Sequence, residues 1–182
     1  MFKCKLDWTS MHGHLFRFKY FLRGWHRNSW CFHYNFGKQT GASYLAGGRN
    51  NAFYGYQTGN DNTTGDDNAY FGTQAGFQNV TGSRNNLFGR LAGEKNKSSD
   101  NSFFGHLSDR DNTDGTRNSF LGSFSGQANL GDYNSFFGHA AGDSTTTGDE
   151  NSFLDPILAR ILRLVTGNLF FDFLRVVSIL QG

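Results

Sequence analysis

The sequence predicts an all-β chain, a parallel β-solenoid or β-roll of 16–17-residue repeats flanked by irregular or poorly ordered ends. Three observations carry that reading. An asparagine-led phrase recurs at a nearly fixed interval. A lattice of glycines recurs with it. The composition, with 24 Gly, 20 Phe and one Pro, suits stacked short strands rather than an ordinary mixed core. A chain this rich in glycine stays ordered only when repetition offsets the entropy its glycines lose.

The asparagines are Asn51, Asn68, Asn85, Asn101, Asn118, Asn134 and Asn151, spaced 17, 17, 16, 17, 16 and 17 apart. Each opens one phrase: NAFYG, NAYFG, NNLFG, NSFFG, NSFLG, NSFFG and a broken NSFLD. Two residues on stand Phe53, Tyr70, Leu87, Phe103, Phe120, Phe136 and Phe153. One further stand Tyr54, Phe71, Phe88, Phe104, Leu121, Phe137 and Leu154. A glycine follows (Gly55, Gly72, Gly89, Gly105, Gly122, Gly138), and four residues later a second (Gly59, Gly76, Gly93, Gly126, Gly142), with Asp109 as the exception. A third closes most copies (Gly65, Gly82, Gly115, Gly131, Gly148), with Ser99 read as its exception. A degenerate copy comes first, in which Phe36, Gly37, Gln39, Thr40 and Gly41 match Tyr54, Gly55, Gln57, Thr58 and Gly59. The repeat region is therefore read as 35–154.

One such unit cannot bury its own apolar side chains, but stacked units cover one another. With strands about 4.8 Å apart, six coils make a rod roughly 29 Å long. Adjacent residues of a strand point to opposite faces. The Phe53 row is therefore expected inside the coil, with Phe103, Phe120 and Phe136 in register. The Tyr54 row is expected outside. The asparagines are expected to form a hydrogen-bonded amide ladder like those of other repetitive β structures. An exposed apolar stripe marks an interface, so a homo-oligomer, preferably a trimer, is expected.

The phrase N-x-F-x-G-x-x-A-G, followed by turns such as Thr63-Thr64-Gly65 or Thr146-Thr147-Gly148, resembles the head repeats of trimeric autotransporter adhesins and of related bacterial or phage tail-fibre-like proteins. The resemblance covers about residues 35–154. It implies a left-handed parallel β-roll, three chains per head, and binding to a host surface, matrix or glycan. This repeat is longer than those of adhesin heads and uses Phe where they use small aliphatics.

Charge divides the chain. Residues 51–154 hold six Lys and Arg against twelve Asp and Glu, residues 1–50 eight against one, and residues 155–182 three against two. The acidic middle argues against nucleic acid as a partner. Cys4 and Cys31 make no disulfide framework. The N-terminus shows no signal peptide. Arg160, Arg163, Asp172 and Arg175 interrupt the apolar end, so no membrane span is expected.

Candidate chemistry is weak. His12, His14, His26, Cys31 and His33 lack any zinc-ligand spacing. Lys3, Lys5, Arg17, Lys19, Arg23 and Arg27 among aromatic residues could face an anionic polymer or membrane. Asp61, Asp66, Asp67, Asp109, Asp111, Asp114, Asp143 and Asp149 read as solvated turn acids, without the nine-residue calcium repeat. They vary between copies, so no catalytic carboxylate pair stands out. Gly122-Ser123-Phe124-Ser125-Gly126 is the repeat's own glycine pair and not a nucleophile elbow. No catalytic, cofactor or metal site is expected.

The ends, 1–34 and 155–182, read as the same repeat displaced in reading frame. One nucleotide earlier, the codons of Asp155 to Val165 permit G-S-N-S-G-K-N-T-T-T-G, with glycines spaced as Gly138, Gly142 and Gly148 are. Leu174 to Gly182 permit S-A-G-S-I-N-T-T-G, matching the spacing of Gln74 to Gly82. One nucleotide later, Lys19 to Arg23 permit N-T-F-F-G. A sequencing error, a decayed gene or a misplaced start would produce this, and the coding DNA decides it.

The expected function is that of a non-enzymatic module of an adhesin or fibre at the cell surface or outside the cell. The alternatives are a fragment of a polysaccharide-processing tail fibre and a frame-shifted, non-functional gene product.

Overall fold

A computed structural model describes residues 7–9, 18–20, 33–43, 48–143 and 147–154. The frame-shift reading of residues 155–182, and most of that of residues 1–34, lies outside them. The described strands are β1 (Asp7–Thr9), β2 (Phe18–Tyr20), β3 (His33–Phe36), β4 (Asn51–Tyr54), β5 (Ala69–Phe71), β6 (Asn86–Phe88), β7 (Ser102–Phe104), β8 (Ser119–Leu121), β9 (Ser135–Phe137) and β10 (Ser152–Phe153). They form one sheet in chain order. From β3 to β10 every pairing is parallel, and each step advances by one repeat, which makes a β-solenoid of about seven turns. At the start, β1 pairs with β2 and β2 with β3, both antiparallel.

The register is the one the phrase dictates. Phe103 lies opposite Phe120, and Phe120 opposite Phe136. Asn35 and Phe36 lie opposite Phe53 and Tyr54, so the degenerate first copy is a real coil. Its strand begins at His33, two residues ahead of the reading from sequence.

Each coil is a short strand followed by corners, and the corners explain the glycines. The first glycine has φ between 125° and 148° in the parallel coils from Gly55 to Gly138. At Gly105 (φ 147°) a Cβ would sit 2.2 Å from the backbone oxygen of Gly122 in the next coil, so side chains are excluded by close layering. The second glycine takes the left-handed conformation and leaves space for the inner ring. A Cβ on Gly126 (φ 60°) would sit 2.3 Å from Cε2 of Phe120. The small residue before it (Ala75, Ala92 or Ala141) is fully buried against the same core. The A-G pair of the phrase is therefore the wall facing the aromatic row.

Two further corners are left-handed without glycine. The residue two after the first glycine has positive φ in Gln57, Gln74, Leu91, Leu107, Phe124 and Ala140. So does the residue before each ladder asparagine: Asn50, Asp67, Arg84, Asp100, Arg117, Tyr133 and Glu150. Such conformations cost roughly 1–3 kcal/mol each and persist only where the surroundings fix them. Here the flanking backbone supplies that restraint. Gln74 N–H donates to the Tyr56 carbonyl (2.9 Å) and Arg84 N–H to the Asp66 carbonyl (2.8 Å) of the preceding coil.

The core is a column one ring wide. Phe53, Tyr70, Leu87, Phe103, Phe120, Phe136 and Phe153 are all buried. Their rings stack at 4.5–5.2 Å between centroids, with Leu87 standing in the column between Tyr70 and Phe103.

Coil length varies at a single corner. The 17-residue coils place two residues between a buried asparagine and the closing glycine, as in Asn79-Val80-Thr81-Gly82. The 16-residue coils place one, as in Asn129-Leu130-Gly131 or Asn96-Lys97-Ser98. In the second of these Ser98, not Ser99, stands where glycine stands elsewhere. Its carbonyl accepts from Asn85 Nδ2 (2.9 Å), as the Gly82 carbonyl accepts from Asn68 Nδ2 (2.9 Å). Equal spacing from the preceding asparagine points to Ser99, but the missing residue lies before this position.

Candidate functional site

The asparagines of the phrase are buried and fix the start of every strand. Their Oδ1 accepts the backbone N–H of the asparagine one coil later: Asn68 on Asn51 at 2.8 Å, Asn85 on Asn68 at 2.9 Å, Asn101 on Asn85 at 2.9 Å. The series continues with Asn118 on Asn101 (2.9 Å), Asn134 on Asn118 (2.8 Å) and Asn151 on Asn134 (2.8 Å). From Asn51 to Asn134 each Nδ2 donates to the carbonyl that closes its own coil, as Asn51 does to Gly65 (2.7 Å) and Asn118 to Gly131 (2.8 Å). The amide-on-amide ladder read from sequence is thus corrected to a side-chain-to-backbone ladder. The left-handed residue before each asparagine turns that N–H toward the preceding amide, and the ladder satisfies it. Amide-to-amide bonds are secondary: Asn101 Nδ2 also donates to Asn96 Oδ1 (3.3 Å) and Asn134 Nδ2 to Asn129 Oδ1 (3.3 Å), and along the ladder itself Asn151 Nδ2 donates to Asn134 Oδ1 (3.1 Å).

A second buried asparagine row, Asn62, Asn79, Asn96, Asn112 and Asn129, was not singled out from sequence, although it repeats with the same 17 and 16 spacings. Asn79 Nδ2 donates to the Tyr70 hydroxyl inside the core (2.7 Å), and its Oδ1 accepts from Gly82 N–H (2.7 Å). Asn112 Oδ1 accepts from Gly115 N–H in the same way (2.8 Å). The second row closes its coils through Asn79, Asn96 and Asn112, whereas the buried side-chain amide of Asn62 meets no partner in hydrogen-bonding geometry.

The face that can meet another molecule is the outer one. Phe36, Tyr54, Phe71, Phe88 and Phe104 stack in an unbroken row at 4.7–5.8 Å, and Leu121 and Phe137 extend it through strand register. Tyr54 is 41% exposed, Phe104 39% and Leu121 51%. Because the rings lie face to face along the rod, it is their edges that point outward. Beside this ridge, on the same face of the strands, runs a row of small residues: Ala52, Ala69, Asn86, Ser102, Ser119 and Ser135. Gln39, Gln57 and Gln74 form a short amide ladder next to it, each link 3.1 Å.

A charged edge lies at the corner before the asparagines. Asp67, Arg84, Asp100 and Arg117 alternate in sign from coil to coil. Arg84 grips Asp100 with two hydrogen bonds of 2.5 and 2.9 Å. That hydrogen bond holds the Asp100 carboxyl below its ordinary value and raises the guanidinium. Arg117 donates to the Tyr133 hydroxyl (2.7 Å). At another corner burial pushes Asp111 up, but hydrogen bonds from Arg110 and Lys95 outweigh it and leave the carboxyl lowered.

Asp109 departs from the solvated-acid reading. It is completely buried at a position where six other coils have a left-handed glycine, and its own φ is 45°. Desolvation is the main cause that drives its carboxyl well above the ordinary value.

Among the described residues no group of three His, Cys, Asp or Glu is placed to hold a metal ion, and no helix is long and apolar enough to cross a membrane. His33 is buried in the asparagine column of the first coil, where its Nδ1 accepts from Asn51 N–H (3.4 Å). His12, His14, His26 and Cys31 lie outside the described residues, as do Lys3, Lys5, Arg17, Arg23 and Arg27. Lys19 is on β2. No family model, curated protein or solved structure matches the chain.

Proposed function

We propose that the chain is a non-enzymatic structural module of a surface adhesin or fibre, which acts as a homotrimer through a long repetitive surface. The observation that carries this reading is the outer aromatic row. A continuous apolar row running along the rod, with rings stacked from Phe36 to Phe104 and continued by Leu121 and Phe137, is the kind of patch that monomers rarely leave bare. Face-to-face stacking leaves only ring edges outside, and these suit apolar packing by another chain better than the flat faces a sugar would stack on. The adjoining row of Ala and Ser offers a shallow trough into which the ridge of a second copy fits. Trimeric assembly is favoured by the resemblance of the N-x-F-x-G repeat to adhesin heads. In such an assembly the remaining faces, with their charged edge and Thr-rich turns, are multiplied threefold, so weak contacts to a host surface, matrix or glycan gain by avidity.

The test is the mass in solution. Sedimentation equilibrium should give about three times the 20.4 kDa of the chain. Phe88→Ser combined with Phe104→Ser should give a monomer that keeps its β circular dichroism, because both residues belong to the outer row. A monomeric parent chain would refute the assembly. Binding of the trimer to immobilised matrix proteins and glycans, with glycan hydrolysis followed in the same wells, tests the adhesive role. Turnover of a glycan would refute the non-enzymatic reading.

A further inference from the structure

We propose that Asp109 makes the coil of residues 101–117 a pH-dependent seam: its buried carboxyl must keep its proton for this coil to stay closed on the next, so the rod opens there as pH rises. The geometry is specific to this coil. In the neighbouring coils the same corner carries Gly93 and Gly126, both left-handed and both lying on inner-row side chains. Asp109 places a carboxyl group at that spot with no exposure to solvent. Its Oδ2 accepts a hydrogen bond from Asn112 Nδ2 (2.6 Å), while its Oδ1 meets no donor in hydrogen-bonding geometry. An ionised carboxylate there would have one oxygen without hydration or partner, which a protein interior tolerates poorly.

The surroundings do not supply a compensating cation. On its own coil Asp111 opposes ionisation, and Arg110 of the same coil and Lys95 of the preceding one are both taken up by Asp111. Glu94, from the preceding coil, faces Arg110. From the following coil come Ser125, Gly126, Gln127 and Asn129, none of which carries charge. The Asn129 N–H and Asn112 favour the charged form, but burial outweighs them.

The sign follows from linkage. A group whose folded value is raised above its unfolded value contributes its full stability below the unfolded value, and that contribution is lost as pH rises toward the folded one. Opening the seam lets Asp109 ionise in water. Between the ordinary carboxylate value, about 4, and the raised folded value, the opening constant gains about tenfold per pH unit.

Hydrogen exchange on the full chain, in the regime where exchange reports the opening equilibrium, tests this. The Asp109 and Asp111 amides donate across the seam to Ser125 and Gln127, and serve as reporters. The Gly76 and Gln78 amides, which donate to Ala92 and Glu94, serve as a reference. From pH 5 upward the opening constant at the reporters, relative to an Asp109→Asn variant, should rise with a limiting slope of about tenfold per pH unit, while the reference stays flat. A ratio that stays constant over this range overturns the proposal. If Asp109→Asn does not fold, Asp109→Gly, which restores the residue of the neighbouring coils, takes its place. The parent chain gives a third reading by itself. A rise at the reporters over the reference as pH increases supports the seam, and an equal change at both sets overturns it.

Discussion

Replacing Asn118 by Ala removes one rung of the inner ladder and leaves the fold's outline untouched. The side chain is fully buried. Its Oδ1 accepts the Asn134 N–H at 2.8 Å, and its Nδ2 donates to the Gly131 carbonyl at 2.8 Å. Deletion therefore strands two backbone groups that water cannot reach. A buried group left without its partner costs about 1–3 kcal/mol, so the pair together should cost roughly 3–5 kcal/mol. That is a large share of a domain stability that typically amounts to about 5–15 kcal/mol. Ser119→Ala, at the adjacent and exposed first residue of β8, should stay within about 0.5 kcal/mol. Asn118→Asp keeps the acceptor for Asn134 but aims a second acceptor at the Gly131 carbonyl, so it should be no better than Ala at neutral pH. Urea unfolding followed by circular dichroism measures the loss. Hydrogen exchange locates it, with protection falling first at the Asn134 amide. A cost under about 1 kcal/mol for Asn118→Ala, with Asn134 still protected, would refute the claim that the ladder holds the coils together.

Three further outcomes follow from the same geometry. Gly105→Ala should cost more than about 3 kcal/mol, as the sum of left-side backbone strain and a Cβ forced against the Gly122 carbonyl, and denaturant melts of the variant check it. Phe103→Leu should cost less than about 1.5 kcal/mol because Leu87 already fills the equivalent place in the column, whereas Phe103→Ala should cost about 3–5 kcal/mol; equal losses in a thermal melt would contradict the packing account. The contribution of Asp100, whose carboxyl is lowered by Arg84, is present above the unfolded carboxylate value and disappears as pH falls through the folded one. Asp100→Asn should therefore remove part of the acid sensitivity of the melting temperature and little of its value at pH 7, since the pair is exposed and screened by salt.

Most of the architecture was legible because the repeat states it several times over. The phrase around Asn51, Phe53 and Gly55 gave the strand, its register and the inside and outside rows, since alternation along a strand leaves no other assignment. The second asparagine row, Asn62, Asn79, Asn96, Asn112 and Asn129, is equally periodic, but it stands at a corner with no aromatic phrase around it to mark it as inward-facing. The partners of the first row were not legible. Whether an amide bonds another amide or a backbone N–H depends on the left-handed residue before it, and Asp67, Arg84 and Tyr133 share no side-chain feature that announces such a conformation. Asp109 was visible as a missing glycine yet was grouped with the turn acids. Sequence shows that the lattice is broken there, but only packing shows that the carboxyl points inward. The outer row was legible as a stripe, while its face-to-face stacking, which decides what it can touch, came from the coordinates.

The corner that alternates between two residues and one, as in Val80-Thr81 against Leu130, acts as an expansion joint. A codon gained or lost there changes the girth of one layer and leaves the phase of all the others intact. Genes for such rods can thus drift in length without scrambling the lattice. The same joint offers a grafting point: a short peptide placed between Leu130 and Gly131 would be carried on the rim of the rod, and repeating the graft in successive layers would display copies about 4.8 Å apart, a density of presentation that few scaffolds provide.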